Sequence, residues 1–442
     1  MKSTNLEEHS PESSLLKTKV APGRKILFLS LMDYSWSPRL VAEFARLGCE
    51  CAVMSPPGSN CSATRFVKTR FHLPPHHGLW LGLLAAHFRL EHVCRNWHPD
   101  LIVPLDDEAA WLLRGLATDR LVSAGLRRLL KISVGSPSGY EAACSRTHFL
   151  DLATRLGVRA PASRAVDGTT ALNAAEAMGF PVMIKINRTW QGTGVAIAHN
   201  RAELAGGIAA SGLYGGRLLR RSRKTARQIV SWLSGSWMTS NRIFELQQYI
   251  PGVPAMRSVI AWQGRVLGGV SFLKASVNPK PFGPSTVLSY IDQPEMAETA
   301  ARLVSALGLS GFASFDFVIA DKGGHAHVIE LNPRAVPAIH VGRFFGHDLC
   351  GALGRELGWR TAAPETAQLA EDVDVVLFPN EIARDPESAW LHSTENTFHD
   401  VPWDDPGVIE HSYRELVQLH PDHAGKIADL LRVKDPVRCE GG

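Results

Sequence analysis

The chain opens, after a polar stretch, with solid apolar runs separated by segments of helical periodicity. "RKILFLS" is an unbroken apolar run, the pattern of a short buried strand. In "SPRLVAEFARLG" the apolar positions Leu40, Val41, Phe44 and Leu47 recur at helical spacing, with Ser37 as N-cap, Pro38 in the first turn and Gly48 as terminator. "CECAVMS" predicts a second strand, "PDLIVPLDDEAAWLL" a third running into a helix, and "KISVGS" a fourth. Strands alternating with helices predict a parallel sheet up to about residue 135. Such sheets bind ligands at the C-terminal ends of their strands. Asp106 and Asp107 stand at one of these ends, either to hold a substrate amine or as the cap and first turn of the next helix.

The pattern then changes. "PSGYEAACSRTHFLDLATRLGVRAPAS" is a helical stretch ending at Gly157, and "PVMIKINRTWQGTGVAIAHN" reads as strand, glycine loop, strand. Residues 200 to 243 hold a helix and a basic run of Arg217, Arg220, Arg221, Arg223, Lys224 and Arg227, with Ala226, Ile229, Val230 and Leu233 at helical spacing behind it. "FELQQYIPG" is a strand ending in a Pro-Gly turn, "RSVIAWQGRVLGGVSF" a hairpin turning at Gln263-Gly264, and "PEMAETAARLVSALG" a helix. After about residue 360 come Pro-rich, Trp-bearing connections and a final helix near "HAGKIADLLR", with little readable chemistry.

Composition narrows the class. The chain has 442 residues, 45% hydrophobic and 20% charged, enough for two or three globular domains. A net charge of +4 gives no argument for nucleic acid. No segment has the roughly 18 unbroken apolar residues of a membrane span, and the polar start, read as a disordered tail over residues 1–22, lacks a signal-peptide apolar region. The seven cysteines lack disulfide-framework or zinc spacing, and Cys49 and Cys51 read as packing residues. A cytoplasmic protein with reduced thiols is expected. For the basic segment a solvated helix face is favoured over an acidic partner, a phosphorylated substrate or a membrane surface, although the adjoining "SWLSGSW" keeps the last open.

The chemistry concentrates in "FDFVIADKGGHAHVIELNPRAVP". Two apolar strands flank a Gly-Gly turn, and each carries a carboxylate, Asp316 and Glu330. Burying two unpaired carboxylates is costly, so they need cations. With a three-residue loop of Lys322-Gly323-Gly324, Asp316 faces Glu330 directly, and their Cβ atoms lie roughly 5 Å apart. A four-residue loop would put them on opposite faces. Glu330 is expected to share its face with Val328 and Ala326. Asn332, two residues past Glu330, falls on the same side. Two carboxylates and an amide oxygen suit Mg²⁺, which retains open positions for phosphate oxygens and water. Arg334 follows two residues on and is placed to stabilise a transferring phosphoryl group; the alternative is a salt-bridged hairpin with Arg334 as partner. Upstream, Lys185 stands in an apolar strand and needs an anion, for which phosphate is suited. Gly192 and Gly194 either let backbone amides approach phosphate or form a plain hairpin turn.

Over roughly residues 25 to 350 this order of motifs resembles the ATP-grasp superfamily, whose C-terminal hairpin carries an acidic residue and then a Glu-x-Asn-x-Arg ending, here Asp316 and "ELNPR". The resemblance implies an α/β ATP-grasp fold. It would comprise an N-terminal Rossmann-like parallel-sheet domain (23–135), a linking helix and small lid subdomain (136–250), a C-terminal α+β subdomain with the metal site (251–360) and an extension (361–442). It implies ATP and Mg²⁺ as cofactors, with Mn²⁺ as the alternative ion. Asp316, Glu330 and Asn332 would be the metal ligands. Lys185, Gly192, Gly194 and Arg146 would hold phosphate, and the hinge residues Gln247, Gln248, Tyr249 and Ile250 the adenine. Arg334, Lys274 and Arg257 would be the catalytic cations. His340 follows as a further candidate, against the commoner structural role of a lone histidine. The chain departs from the family pattern after the hinge, where "GVPAMR" has no acidic residue for ribose, and its phosphate loop is short. The implied activity is an ADP-forming carboxylate–amine ligase acting on small-molecule carboxylate and amine substrates, with no nucleic-acid partner and with homodimers frequent among similar proteins. A carboxylase, a carboxylate–thiol ligase and a nucleotide-binding protein without turnover are the alternatives.

Overall fold

A computed structural model describes residues 25–73, 79–167, 170–186, 194–210, 244–359, 368–393 and 396–432. Its strands are β1 (Lys25–Leu29), β2 (Glu50–Ser55), β3 (Thr69–His72), β4 (Leu101–Pro104), β5 (Ser163–Val166), β6 (Val182–Ile186), β7 (Val195–Ala198), β8 (Phe244–Gln248), β9 (Gly252–Trp262), β10 (Arg265–Val277), β11 (Ser285–Ile291), β12 (Gly311–Ala320), β13 (Ala326–Asn332), β14 (Asp374–Val376) and β15 (Thr397–His399). They form three sheets, in the orders β3-β2-β1-β4, β5-β8-β6-β7 and β13-β12-β9-β10-β11-β14-β15.

The first sheet is parallel throughout. Ile26, Leu27, Phe28 and Leu29 are all fully buried, because helices cover both faces, as a solid apolar run requires. Ile26 and Phe28 join Leu40, Val41 and Phe44 of the helix Ser37–Arg46, while Leu27 and Leu29 pack with Leu112 and Leu113 on the other side. Ser37 is the first residue inside that helix, and Trp36 takes the cap position. The fourth strand is not "KISVGS". Residues 131–134 close the helix Ala124–Val134, whose buried Leu126, Leu130 and Val134 recur every four residues. The fourth strand is β3 at the sheet edge, where alternate residues face solvent and no apolar run marks it. The helical stretch from Pro137 is likewise broken, at Ser145, into Tyr140–Cys144 and Arg146–Arg155. Gly139 lies against the helix Pro294–Leu307 so closely that a Cβ there would sit 2.0 Å from the Leu307 carbonyl oxygen.

The third sheet is built on the β9–β10 hairpin, which turns through Gln263 and Gly264 with both residues at positive φ, as a two-residue turn demands. One face packs on the helix Pro294–Leu307 through Ala255, Val259, Phe315 and Phe317. The extension completes this sheet, since β14 pairs antiparallel with β11 and β15 parallel with β14.

The extension also supplies a buried ionic cluster. Asp400 accepts from Arg39 and lies 2.7 Å from His340 Nε2, and the three residues are 1%, 7% and 3% exposed. His340 is therefore structural, joining the first helix to the extension. Burial works to raise the Asp400 carboxyl, but Arg39 and His340 hold it below the ordinary carboxylate range. Asp400→Ala leaves a buried guanidinium and imidazole without their acid. The expected loss is about 3 kcal/mol or more, read as a lower thermal midpoint at neutral pH. The wild-type contribution persists above the ordinary aspartate range and is lost as pH falls through the depressed pKa.

Candidate active site

A cavity of about 700 Å³ opens between the ends of the first sheet, the start of the helix Arg146–Arg155 and the upper face of the third sheet. Asp316, Glu330, Asn332, Arg334, Lys274 and Arg146 all line it.

Asp316 pairs directly with Glu330 across β12 and β13, and Ser314 with Asn332. The expected pairing arises by a different route. The Gly324 N–H donates to Ala320 O and the Ala320 N–H to His325 O, so the loop has four residues, with Gly323 and Gly324 both at positive φ. Alone, that loop would separate the carboxylates. A register shift between Asp316 and Phe317 leaves Ile329 as an extra residue and restores the pairing. The bulge also corrects the expected face, because Val328 and Ala326 turn into the core against the helix Pro294–Leu307 while Glu330 faces the cavity.

Each acid already leans on a fixed cation. Lys274 Nζ lies 2.9 Å from Asp316 Oδ1, and Asn332 Nδ2 lies 3.5 Å from Asp316 Oδ2. Arg146 reaches Glu330 Oε1 through Nε at 3.0 Å and Nη2 at 2.9 Å. Burial works to raise the Glu330 carboxyl, but Arg146, Lys185 and Lys274 hold it below the ordinary range. The donor set fits a hard divalent cation, since it offers two facing carboxylates and an amide oxygen on one side of a hairpin.

Lys185 sits on β6, cross-strand from Glu245 of β8. It is 4% exposed, and its Nζ has no hydrogen-bond partner among the described residues. Burial pushes its pKa down, opposed by Glu330 and Glu245. Glu245 is fully buried, accepts from Ser163 Oγ at 2.8 Å, and has its pKa raised by burial against the pull of Lys185. Glu245 carries the same sequence signal as Asp316 and Glu330, an acid inside an apolar strand.

Arg334 closes the cavity toward the first sheet. Its Nη2 lies 2.8 Å from Asp107 Oδ2, and its guanidinium stands 5.3 Å from the Tyr34 ring centre. The Tyr34 hydroxyl donates to Asp107 at 3.2 Å. The two aspartates thus divide their roles. Asp106 is the helix cap, accepting from Ala109 N at 2.8 Å, from Leu31 N at 2.6 Å and from Met32 N at 3.0 Å. Asp107 is the partner of Arg334. Tyr34, Trp36, Trp111 and Phe282 form an aromatic wall.

Other expected residues lie elsewhere. Arg257 is on β9 beside Met256, which lines the cavity, so alternation turns Arg257 to the opposite face of the sheet. There its Nη1 donates to Ser271 Oγ at 2.8 Å. This corrects its assignment as a catalytic cation. Gln247, Gln248, Tyr249 and Ile250 do not line the cavity. Gln247 is buried and aims at Glu245 and the Ile329 carbonyl, and Gln248 is exposed with Oε1 toward Ala162 N. Gly194 has φ +75°, while Gly192 and the basic run 217–227 lie outside the described residues. The six described cysteines are free, and among the described residues no helix is long and apolar enough to cross a membrane.

Residues 217–337 match a family model described as ATP-grasp domain, and residues 145–214 match the carbamoyl-phosphate synthase L chain ATP binding domain. The fold is shared with an L-amino acid ligase from Bacillus licheniformis, at TM-score 0.53 and 16% identity over 78% of each chain. It is also shared with the biotin carboxylase domain dimer of Hydrogenobacter thermophilus 2-oxoglutarate carboxylase, solved with MgADP, ADP and bicarbonate. That match has TM-score 0.52 and 17% identity, covering 78% of this chain and 71% of that one. The carbamoyl phosphate synthase large chain of Rubrobacter xylanophilus is 27% identical over 205 residues, 43% of this chain and 17% of that one. The chain spans less than a quarter of the length of the curated relatives it matches. The α/β fold is thus an ATP-grasp fold, and residues 145–337 carry the matches to the two ATP-binding family models.

Proposed function

We propose that the protein is an ATP- and Mg²⁺-dependent ligase joining a carboxylate to an amine through an acyl phosphate. The observation that carries this is the facing pair Asp316 and Glu330, with Asn332 beside it, opening into a cavity lined by Lys274, Arg146 and Arg334. ADP and Mg²⁺ in the carboxylase neighbour, and the amino acid ligase activity of the other, support the reading.

Mg²⁺ held by Asp316, Glu330 and the Asn332 amide would neutralise charge on the terminal phosphates of ATP. The protein's own cations do the rest. Lys185, buried and without a hydrogen-bond partner among the described residues, gains one in a phosphate oxygen. Arg146 and Lys274 hold the two carboxylates in place. A substrate carboxylate oxygen attacks the γ-phosphorus, and the bond from phosphorus to the ADP oxygen breaks. The amine nitrogen then attacks the acyl carbon, the bond from carbon to the phosphate oxygen breaks, and the amine loses its proton to solvent. Arg334, tied to Asp107, faces the charge that moves between these steps. The aromatic wall of Tyr34, Trp36 and Trp111 limits water at the acyl phosphate.

A panel of amino acids and small acids, offered with ATP and Mg²⁺, tests the reading. The expected result is phosphate release that needs both an acid and an amine, with a condensed product by mass spectrometry. ADP release that neither substrate accelerates, with no condensed product, would refute it. Bicarbonate in the carboxylase neighbour supports a second reading, carboxylation, which incorporation of labelled bicarbonate would reveal.

A further inference from the structure

A second cluster of ligating groups lies away from the hairpin. Asp33 stands in the loop after β1, one residue before Tyr34. The helix Pro406–Leu419 carries His411 and Glu415 four residues apart, so both project from one face toward that loop. One ligand atom from each of Asp33, His411 and Glu415 lies within 4.8 Å of the other two.

His411 and Glu415 form an ion pair, and Asp33 brings a second exposed carboxylate to the same half-buried imidazole. His411 Nε2 stands 3.6 Å from Glu415 Oε1, beyond hydrogen-bond range, and is buried without a hydrogen-bond partner among the described residues. Asn60, 2% exposed, stands over the cluster. Its backbone N–H donates to Asp33 Oδ1 at 2.7 Å and its Nδ2 to Glu415 Oε1 at 3.3 Å, while its own Oδ1 is buried and unpartnered among the described residues. Asn60 thus donates to both carboxylates, to one from its backbone and to the other from its side chain. That is the support which outer residues give to metal ligands.

We propose that Asp33, His411 and Glu415 bind a zinc-class divalent transition-metal ion, with water completing its coordination. One imidazole nitrogen and two carboxylate oxygens suit zinc and its neighbours, whereas Mg²⁺ prefers oxygen alone. Zinc bonds of about 2.0–2.2 Å place neighbouring ligand atoms roughly 3.4 Å apart, so small side-chain rotations close the cluster on an ion. The ion ties the loop that presents Tyr34 and Trp36 to the extension. It is a staple behind the cavity wall and independent of whether the protein is a ligase.

The test uses full-length protein stripped with a chelator, freed of it, and titrated with ZnCl₂ in excess Mg²⁺ so that the hairpin carboxylates are occupied. Calorimetry and elemental analysis are expected to show one zinc per chain, and Co²⁺ in its place to give a visible absorption band. His411→Ala and Asp33→Asn each weaken uptake by at least about tenfold, and Glu330→Gln leaves it unchanged. Asp33→Asn keeps size and shape, so it decides the matter if His411→Ala does not fold. Absence of zinc and cobalt uptake in the wild type overturns the proposal. So does uptake unchanged in folded Asp33→Asn, or uptake lost instead in Glu330→Gln.

Discussion

Glu330→Gln is expected to lower Mg²⁺-dependent ADP release by about 10²- to 10³-fold, the range for loss of one group that organises transition-state charge. Two effects combine. The hairpin loses one of its two facing carboxylates, so affinity for Mn²⁺, measured by its electron paramagnetic resonance signal, falls as well. Arg146 also loses the oxygen that holds its Nε and Nη2. About a fifth of each partner faces the cavity, so the stability cost is discounted for solvent to about 1–2 kcal/mol. A mutant with wild-type Mn²⁺ affinity and turnover would remove Glu330 from the metal site.

Lys185→Met is expected to reduce kcat/KM for ATP by about 100-fold, and the pH profile identifies the cause. Burial depresses the Lys185 pKa below the ordinary lysine range. As pH rises the cation is lost early, so kcat/KM for ATP falls along an alkaline limb below that range. A bound phosphate restores the charged form, so the corresponding limb in kcat lies at higher pH. Lys185→Arg keeps the charge at all accessible pH and abolishes the limb. A wild-type profile flat up to the ordinary lysine range would exclude Lys185 as the group that meets ATP.

What the sequence revealed follows from how locally each feature is encoded. β1, the β9–β10 hairpin and the helix Pro294–Leu307 carry their own runs, turn residues and periods, and they stand where expected. Asp316 and Glu330 were conspicuous because an acid in an apolar strand violates local pattern. The loop between their strands has four residues instead of the expected three, and the bulge at Ile329 that restores their pairing has no sequence mark. Arg257 was placed by resemblance to the hairpin alone, and strand alternation turns its side chain to the face away from the cavity. β3 failed because an edge strand needs little apolar character. Tyr34, Asp400 and His411 were invisible for another reason. Their partners Asp107, Arg39 and Asp33 lie 73, 361 and 378 residues away in the chain, beyond any local period.

The extension has one more consequence. Because β14 and β15 are the outer members of the seven-stranded sheet, a version cut back to residue 359 would not be a trimmed but intact fold. It would bare the amides and carbonyls of β11 together with Val287, which Val376 and Phe378 now cover. Such an open flank recruits strands from other molecules, so the shortened chain should leave a sizing column as aggregate.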